Sequence, residues 1–179
     1  MNYIEYLDPN NPTVTFSIRD YGLIQVELFP SVAPNTVSNF IHLVESNYYQ
    51  NLTFHRIIPG FMIQGGGGDS ELKPIKGEFA ANGFENPLHH TRGVISMART
   101  SDPNSQTSQF FIMHKDAPHL DRNYAAFGAV TAGIEVVDLI VRQSRDLRDK
   151  PFEDIVIESV SIDKKDKEFP QPVYYTSEK

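Results

Sequence analysis

Residues 54–68 read Phe54-His55-Arg56-Ile57-Ile58-Pro59-Gly60-Phe61-Met62-Ile63-Gln64-Gly65-Gly66-Gly67-Gly68, an apolar, β-prone run that encloses one permanent cation, Arg56. Pro59-Gly60 is a turn dipeptide. Proline presets φ at the second turn position and glycine admits positive φ at the third, so the runs on either side fold back as a hairpin. Residues two apart share a strand face, which predicts Phe54 and Ile58 beside Arg56, with Phe61 and Gln64 just past the turn. An arginine in apolar surroundings must find partners for its donors. Arg56 is therefore either ion-paired near a sheet edge or offered to a ligand, and this stretch alone fits both readings.

Outward from this hairpin, Thr13 to Arg19 alternates with Val14, Phe16 and Ile18 on one face, and Leu23 to Phe29 alternates again beyond the turn Asp20-Tyr21-Gly22. That is a second β-hairpin signal. Pro34 then opens a stretch in which Val37, Phe40, Ile41 and Val44 recur at helical spacing, with the end expected at Ser46-Asn47. Residues 66–92 form a long irregular piece, of the kind that often carries function in compact domains. Short apolar runs at 93–98, 108–113 and 125–130 read as strands, 133–142 as a second helix, and 155–162 as a closing strand. Eight or so short strands with two helices predict a mainly β fold, a closed antiparallel barrel whose ends the helices cover, which leaves no exposed strand edge. Residues 1–12 read as an extended lead-in, and 163–179 as a charged tail bearing proline and tyrosine.

The 179 residues, 40% hydrophobic and 22% charged, fit one soluble globular domain. A net charge of -7 without a Lys/Arg block argues against a nucleic-acid partner. The absence of cysteine excludes disulfides, thiolate catalysis and cysteine-based zinc sites, and fits a reducing compartment. The N-terminal stretch has neither the basic region nor the apolar core of a signal peptide, and no run could span a bilayer; cytoplasm is the expected location. There is no Gly-x-Ser-x-Gly elbow and no phosphate-binding Gly-x-x-x-x-Gly-Lys. Gly65 to Gly68 are not followed by a lysine-bearing helix and read as flexible backbone beside a groove. His89 and His90 point to opposite faces of an extended segment and read as a surface pair, not a metal site. His42 reads as solvent-facing, His55 and His114 as structural; neither metal nor cofactor is expected.

What remains is an apolar set, Phe61, Met62, Phe111 and Leu120, with Arg56, Gln64 and Gln109 as polar companions. Core packing explains any one of the apolar residues, and it is the reading for Phe110, which faces away from Phe111. Phe111 and Gln109, two apart, share a face, and a ring beside an amide suits a binding surface better than a dry core.

Phe54 to Gly66 resembles the signature of the cyclophilin family, and Ser96-Met97-Ala98, Ser108-Gln109-Phe110-Phe111-Ile112 and Leu120-Asp121 followed by Phe127-Gly128 recur in that family's order. The resemblance covers residues 13–162. It implies an eight-stranded β-barrel capped by two helices, and peptidyl-prolyl cis-trans isomerase activity on peptides and folding proteins, without a covalent intermediate or cofactor. Position by position, it implies that Arg56 is catalytic, that Phe61, Met62, Phe111 and Leu120 form the proline pocket, and that Gln64, Ala98, Arg99 and Gln109 contact the peptide. His119 stands where cyclosporin-sensitive members carry tryptophan, which implies weak cyclosporin binding. Tyr124 replaces a histidine common in the family, as in bacterial members, and is placed to stack on the substrate proline. Arg99 replaces a frequent asparagine, and Asp102 is an extra loop residue. The expected unit is a monomer. A non-catalytic proline-binding module and a barrel with a purely structural aromatic core are the alternatives. The tail adds two X-Pro bonds, Phe169-Pro170 and Gln171-Pro172, which either visit the groove by tethering or pack along the barrel.

Overall fold

In the computed structural model, which describes residues 2–69 and 71–177, β1 (Thr13–Ile18) buries Val14, Phe16 and Ile18. Strand β2 (Gly22–Leu28) buries Ile24, Val26 and Leu28 and pairs with it antiparallel. Helix α1 (Pro34–Glu45) then turns Val37, Phe40, Ile41 and Val44 inward and ends at Ser46. Its N-cap residue, Ala33, has no capping side chain. Instead Glu78, from the long irregular segment, accepts the Thr36 backbone N–H at 2.6 Å and the Thr36 hydroxyl at 2.7 Å. A buried carboxylate at the positive end of a helix is stabilising, so this pair anchors the loop to α1.

The remaining elements are β3 (Phe54–Ile58), β4 (Met62–Gly65), β5 (Val94–Met97), β6 (Phe110–Met113), β7 (Ala126–Ala132), α2 (Ile134–Val141) and β8 (Ile157–Asp163). They form one antiparallel sheet in the order β3-β4-β6-β5-β7-β2-β1-β8. Helix α1 packs against β8, and α2 against β2, β3 and β4. The core converges on two rings. Phe40 lies 5.2 to 6.3 Å from the rings of Phe16, Tyr49, Phe110 and Phe127, and Phe110 also touches Phe16 and Phe54 at 5.4 and 5.9 Å.

Four expectations are corrected. The sheet is a curled half-barrel and not a ladder closed on itself: β3 and β8 share no ladder and approach only at a Thr53–Val156 bridge. There Asn51 N–H donates to Ile157 O and Ile157 N–H to Leu52 O, both at 2.7 Å, because Asn51, at φ 67°, turns the chain just ahead of β3. The lead-in is not extended, since Tyr3–Tyr6 is a 3-10 turn capped by the Asn2 side chain, with Tyr6 against Phe29. Gly65 and Gly66 serve close packing, not flexibility: a Cβ on Gly66 would sit 2.8 Å from the Tyr49 ring and 2.9 Å from Phe110. Finally, a register shift between Phe54 and Arg56 breaks the alternation, so that Phe54 and Ile57 face the core while Arg56 faces out.

Around Val173 and Tyr175 the described part of the tail packs along the body, against Asn35 and Pro74; residues 178–179 lie outside the described residues. The Asn35 side chain donates to Val173 O at 2.9 Å and accepts the Val173 N–H at 2.8 Å, while Tyr175 N–H donates to Pro74 O at 2.8 Å. Asn35→Ala is expected to release this strap at a cost of about 1 kcal/mol. Hydrogen exchange would show it as lost protection of the Val173 and Tyr175 amides; protection equal to that of the unmodified chain would contradict the docking.

Candidate active site

Register assembles the site. Arg56 on β3 is paired with Gln64 on β4, Gln64 with Phe111 on β6, and Phe111 with Ser96 on β5. Directly paired residues project to one face, so these four side chains form a row across the outside of the sheet. The neighbouring row, Ile57, Ile63, Ile112 and Ile95, points into the core and is fully buried. Phe110 follows that row inward, which leaves Gln109 and Phe111 outside together.

Above the outer row lies a cleft of about 150 Å³. Met62, Phe111 and Leu120 make its apolar floor, each at most 7% exposed, with Phe61 and Ala98 at the walls. Leu120 is brought in by a 3-10 turn, Pro118–Leu120, that leaves His119 on the exposed rim with its ring 5.8 Å from Phe61. Tyr124 closes the far side, edge-on to Phe111 at 5.8 Å.

The polar members form a chain. Arg56 Nη1 donates to Gln64 Oε1 at 3.2 Å, and Gln64 Nε2 donates to Gln109 Oε1 at 3.0 Å. Gln109 in turn hydrogen-bonds the half-buried His55, whose pKa is lowered chiefly by burial and next by Arg56. Among the described residues no carboxylate pairs with Arg56. Of the two readings open for this cation, the described residues show no ion pair and leave the guanidinium facing the cleft. Arg99 differs: its Nε and Nη2 donate to Asn123 O at 3.1 and 2.8 Å, and its guanidinium lies over Tyr124 and Phe79 at 4.7 and 5.0 Å. It lines the cleft as a wall that braces Tyr124. All the residues expected at the site thus gather on one face; Gln109 and His119 stand just outside the cleft lining.

His90 was not legible as part of this site and is not a surface residue. It is 1% exposed, with Nδ1 3.0 Å from Asp121 Oδ1, Nε2 2.9 Å from Ser96 Oγ, and its ring stacked 6.0 Å from Phe111. Its backbone N–H also donates to Asp121 at 2.6 Å. The partners lie on other elements, so only the Ser96-Met97-Ala98 and Leu120-Asp121 motifs hinted at it. His89, beside it, is exposed. No group of three or more His, Cys, Asp or Glu among the described residues could hold a metal ion, and no helix is long and apolar enough to cross a membrane.

The family model of cyclophilin-type peptidyl-prolyl cis-trans isomerases matches residues 13–162. Peptidyl-prolyl cis-trans isomerase A of Dickeya dadantii is 43% identical over 159 residues, 80% of this chain and 81% of that one. Peptidyl-prolyl cis-trans isomerase B of Escherichia coli is 41% identical over 167 residues, covering 83% and 98%. A peptidyl-prolyl cis-trans isomerase of Acinetobacter baylyi is 47% identical over 130 residues, 66% of each chain. Among solved structures, a cyclophilin-type isomerase of Cryptosporidium parvum superposes with a TM-score of 0.77 at 32% identity, over 86% of this chain and 98% of that one.

Burial pushes the His90 pKa below its ordinary value, against the opposing pull of Asp121. Its unfolded form then takes a proton before the folded form does, so stability is lost as pH falls below about 6.5. The unfolding midpoint is expected to drop between about pH 7 and about pH 5, and less steeply in His90→Asn. Thermal unfolding of both proteins across that range checks this; equal slopes would contradict it.

Proposed function

The chain belongs to the cyclophilin-type peptidyl-prolyl cis-trans isomerase family and is an isomerase of that type; on that premise we propose that Arg56 is its catalytic residue and that the cleft of Phe61, Met62, Phe111 and Leu120 holds the proline ring. One observation carries the assignment: a guanidinium that has no carboxylate partner among the described residues and is oriented by a hydrogen bond to Gln64, at the mouth of an apolar cleft of proline size. The same reading takes the Thr53–Val156 seam as the place where the sheet closes into a barrel.

Rotation about a peptide bond faces a barrier of ~18–20 kcal/mol because the nitrogen lone pair is delocalised into the carbonyl. No bond need break. In the twisted state the prolyl nitrogen is pyramidal and accepts a hydrogen bond that it could not accept while conjugated, so a donor fixed near that nitrogen binds the transition state better than either ground state. Arg56 is permanently protonated and supplies such a donor, with a second N–H free to polarise the carbonyl oxygen. The floor holds the ring still while Gln64 and Gln109 engage the peptide backbone, leaving the acyl side to rotate. A 10⁵-fold acceleration asks for about 7 kcal/mol of preference for the twisted state.

Arg56→Ala is expected to lower kcat/KM by at least about 100-fold while most ground-state peptide affinity remains, since the contact belongs to the twisted state. Arg56→Lys should also fall short, lacking the planar fork. Exchange rates near the unmodified level in the alanine variant would refute the assignment.

We propose further that cyclosporin binds weakly, because the exposed imidazole of His119 offers less apolar area than an indole and a more strongly hydrated edge. His119→Trp should tighten the drug by roughly 1–2 kcal/mol, about tenfold or more. Titrating both proteins with cyclosporin while following isomerisation tests this; strong inhibition of the unmodified protein, or no gain from tryptophan, would refute it.

A further inference from the structure

His114, immediately after β6, ties the turn at Ile58–Phe61 to helix α2. Its backbone N–H donates to Phe61 O at 2.8 Å, its Nδ1 accepts the Gly60 N–H at 2.9 Å, and its Nε2 lies 3.2 Å from Asp138 Oδ1. Arg92 completes the cluster, gripping both Asp138 oxygens at 2.7 Å and donating to His114 O at 3.0 Å. These contacts decide the tautomer. A nitrogen that accepts from an amide carries no proton, so the single ring proton sits on Nε2 and faces the carboxylate.

We propose that His114 is a positioning residue of the isomerase site: its neutral ring pins Gly60, and through that turn sets the Phe61 wall of the proline pocket, whereas its protonation releases the turn. The proposal rests on the reading of the cleft as the proline site. A second proton would have to enter at Nδ1, where it would confront the Gly60 N–H, two donors with no acceptor between them. An ionised Asp138, its pKa lowered first by the hydrogen bond from Arg92, favours the charged ring, but it faces Nε2 and so leaves the clash at Nδ1 in place. The groups facing the ring are Asp138 of α2 and Arg142 just past its end, Arg92 ahead of β5, and Lys115 next in the chain, with Asp116 occupied by the Arg92 backbone N–H. Three cations against one close carboxylate, together with burial, favour the neutral form, and the ring's pKa is lowered with burial as the leading cause. Isomerisation therefore proceeds with the turn pinned at neutral pH and loses its pocket wall in acid.

Three variants separate the parts. Asn at 114 offers an oxygen near the position of Nδ1 but cannot titrate; Gln reaches Asp138 but offers Gly60 nothing; Ala does neither. The readout is kcat and KM on an Ala-Pro peptide from about pH 5 to about pH 8, with the Gly60 amide followed by NMR. The unmodified protein should lose kcat/KM as pH falls below about 6.5, mainly through a rising KM, in step with a shift of the Gly60 amide. His114→Asn should lose that acid limb and retain the larger part of the activity. His114→Gln and His114→Ala should have kcat/KM reduced by about tenfold already at about pH 8, with little further change in acid. An unchanged acid limb in His114→Asn, or full activity in His114→Gln at about pH 8, would overturn the proposal. If Arg56→Ala kept full activity, the assignment of the site itself would fail, a result that the His114 profiles do not mimic.

Discussion

The alternation at Phe110 and Phe111 is the constraint from which the site follows. Phe110 is completely buried and meets the rings of Phe16, Phe40, Tyr49 and Phe54, so β6 has no freedom to slip by one residue. A one-residue shift would turn every side chain of the strand to the other face. Removing a ring of this kind from a core typically costs about 3–5 kcal/mol, a large fraction of a domain's stability. With Phe110 locked inside, Gln109 and Phe111 are held outside. The ladders to β4 and β5 then bring Gln64, Arg56 and Ser96 into line.

Electrostatics gives that line its chemistry. The chain carries a net charge of -7, yet two guanidiniums line the cleft and neither has a carboxylate partner among the described residues. Their roles diverge through their surroundings. Arg99 is spent on the Asn123 carbonyl and two aromatic faces, which fixes a wall. Arg56 keeps most of its donors unused among the described residues, with Gln64 setting its direction. Beside an apolar floor such donors are less screened than in water, so a group that becomes a better acceptor only in transit gains most from them.

Much of this was legible because the signals are local. Val14, Phe16 and Ile18 announce a half-buried strand by alternation alone, α1 by spacing, and the Ile58–Phe61 turn by Pro59-Gly60. The motifs that carry the family resemblance also named the residues that gather at the cleft. Features set by distant partners were not legible. One extra residue between Phe54 and Arg56 reverses a face without leaving any mark in composition. Gly66 looks like slack until Tyr49 and Phe110 are seen against it. His90 looks like half of a surface pair until Asp121, 31 residues on, and Ser96 close around it. The tail's anchor, Asn35, lies 138 residues from Val173.

The central claim is that this face does more than hold proline: it speeds rotation about the bond before it. Exchange spectroscopy on a short X-Pro peptide, with the protein present in small proportion, separates the two directly. Catalysis predicts exchange cross-peaks between the cis and trans resonances within seconds or less, where the free peptide interconverts over tens to hundreds of seconds. Shifted or broadened peptide signals without such cross-peaks would mean a binding groove only, and would contradict the account.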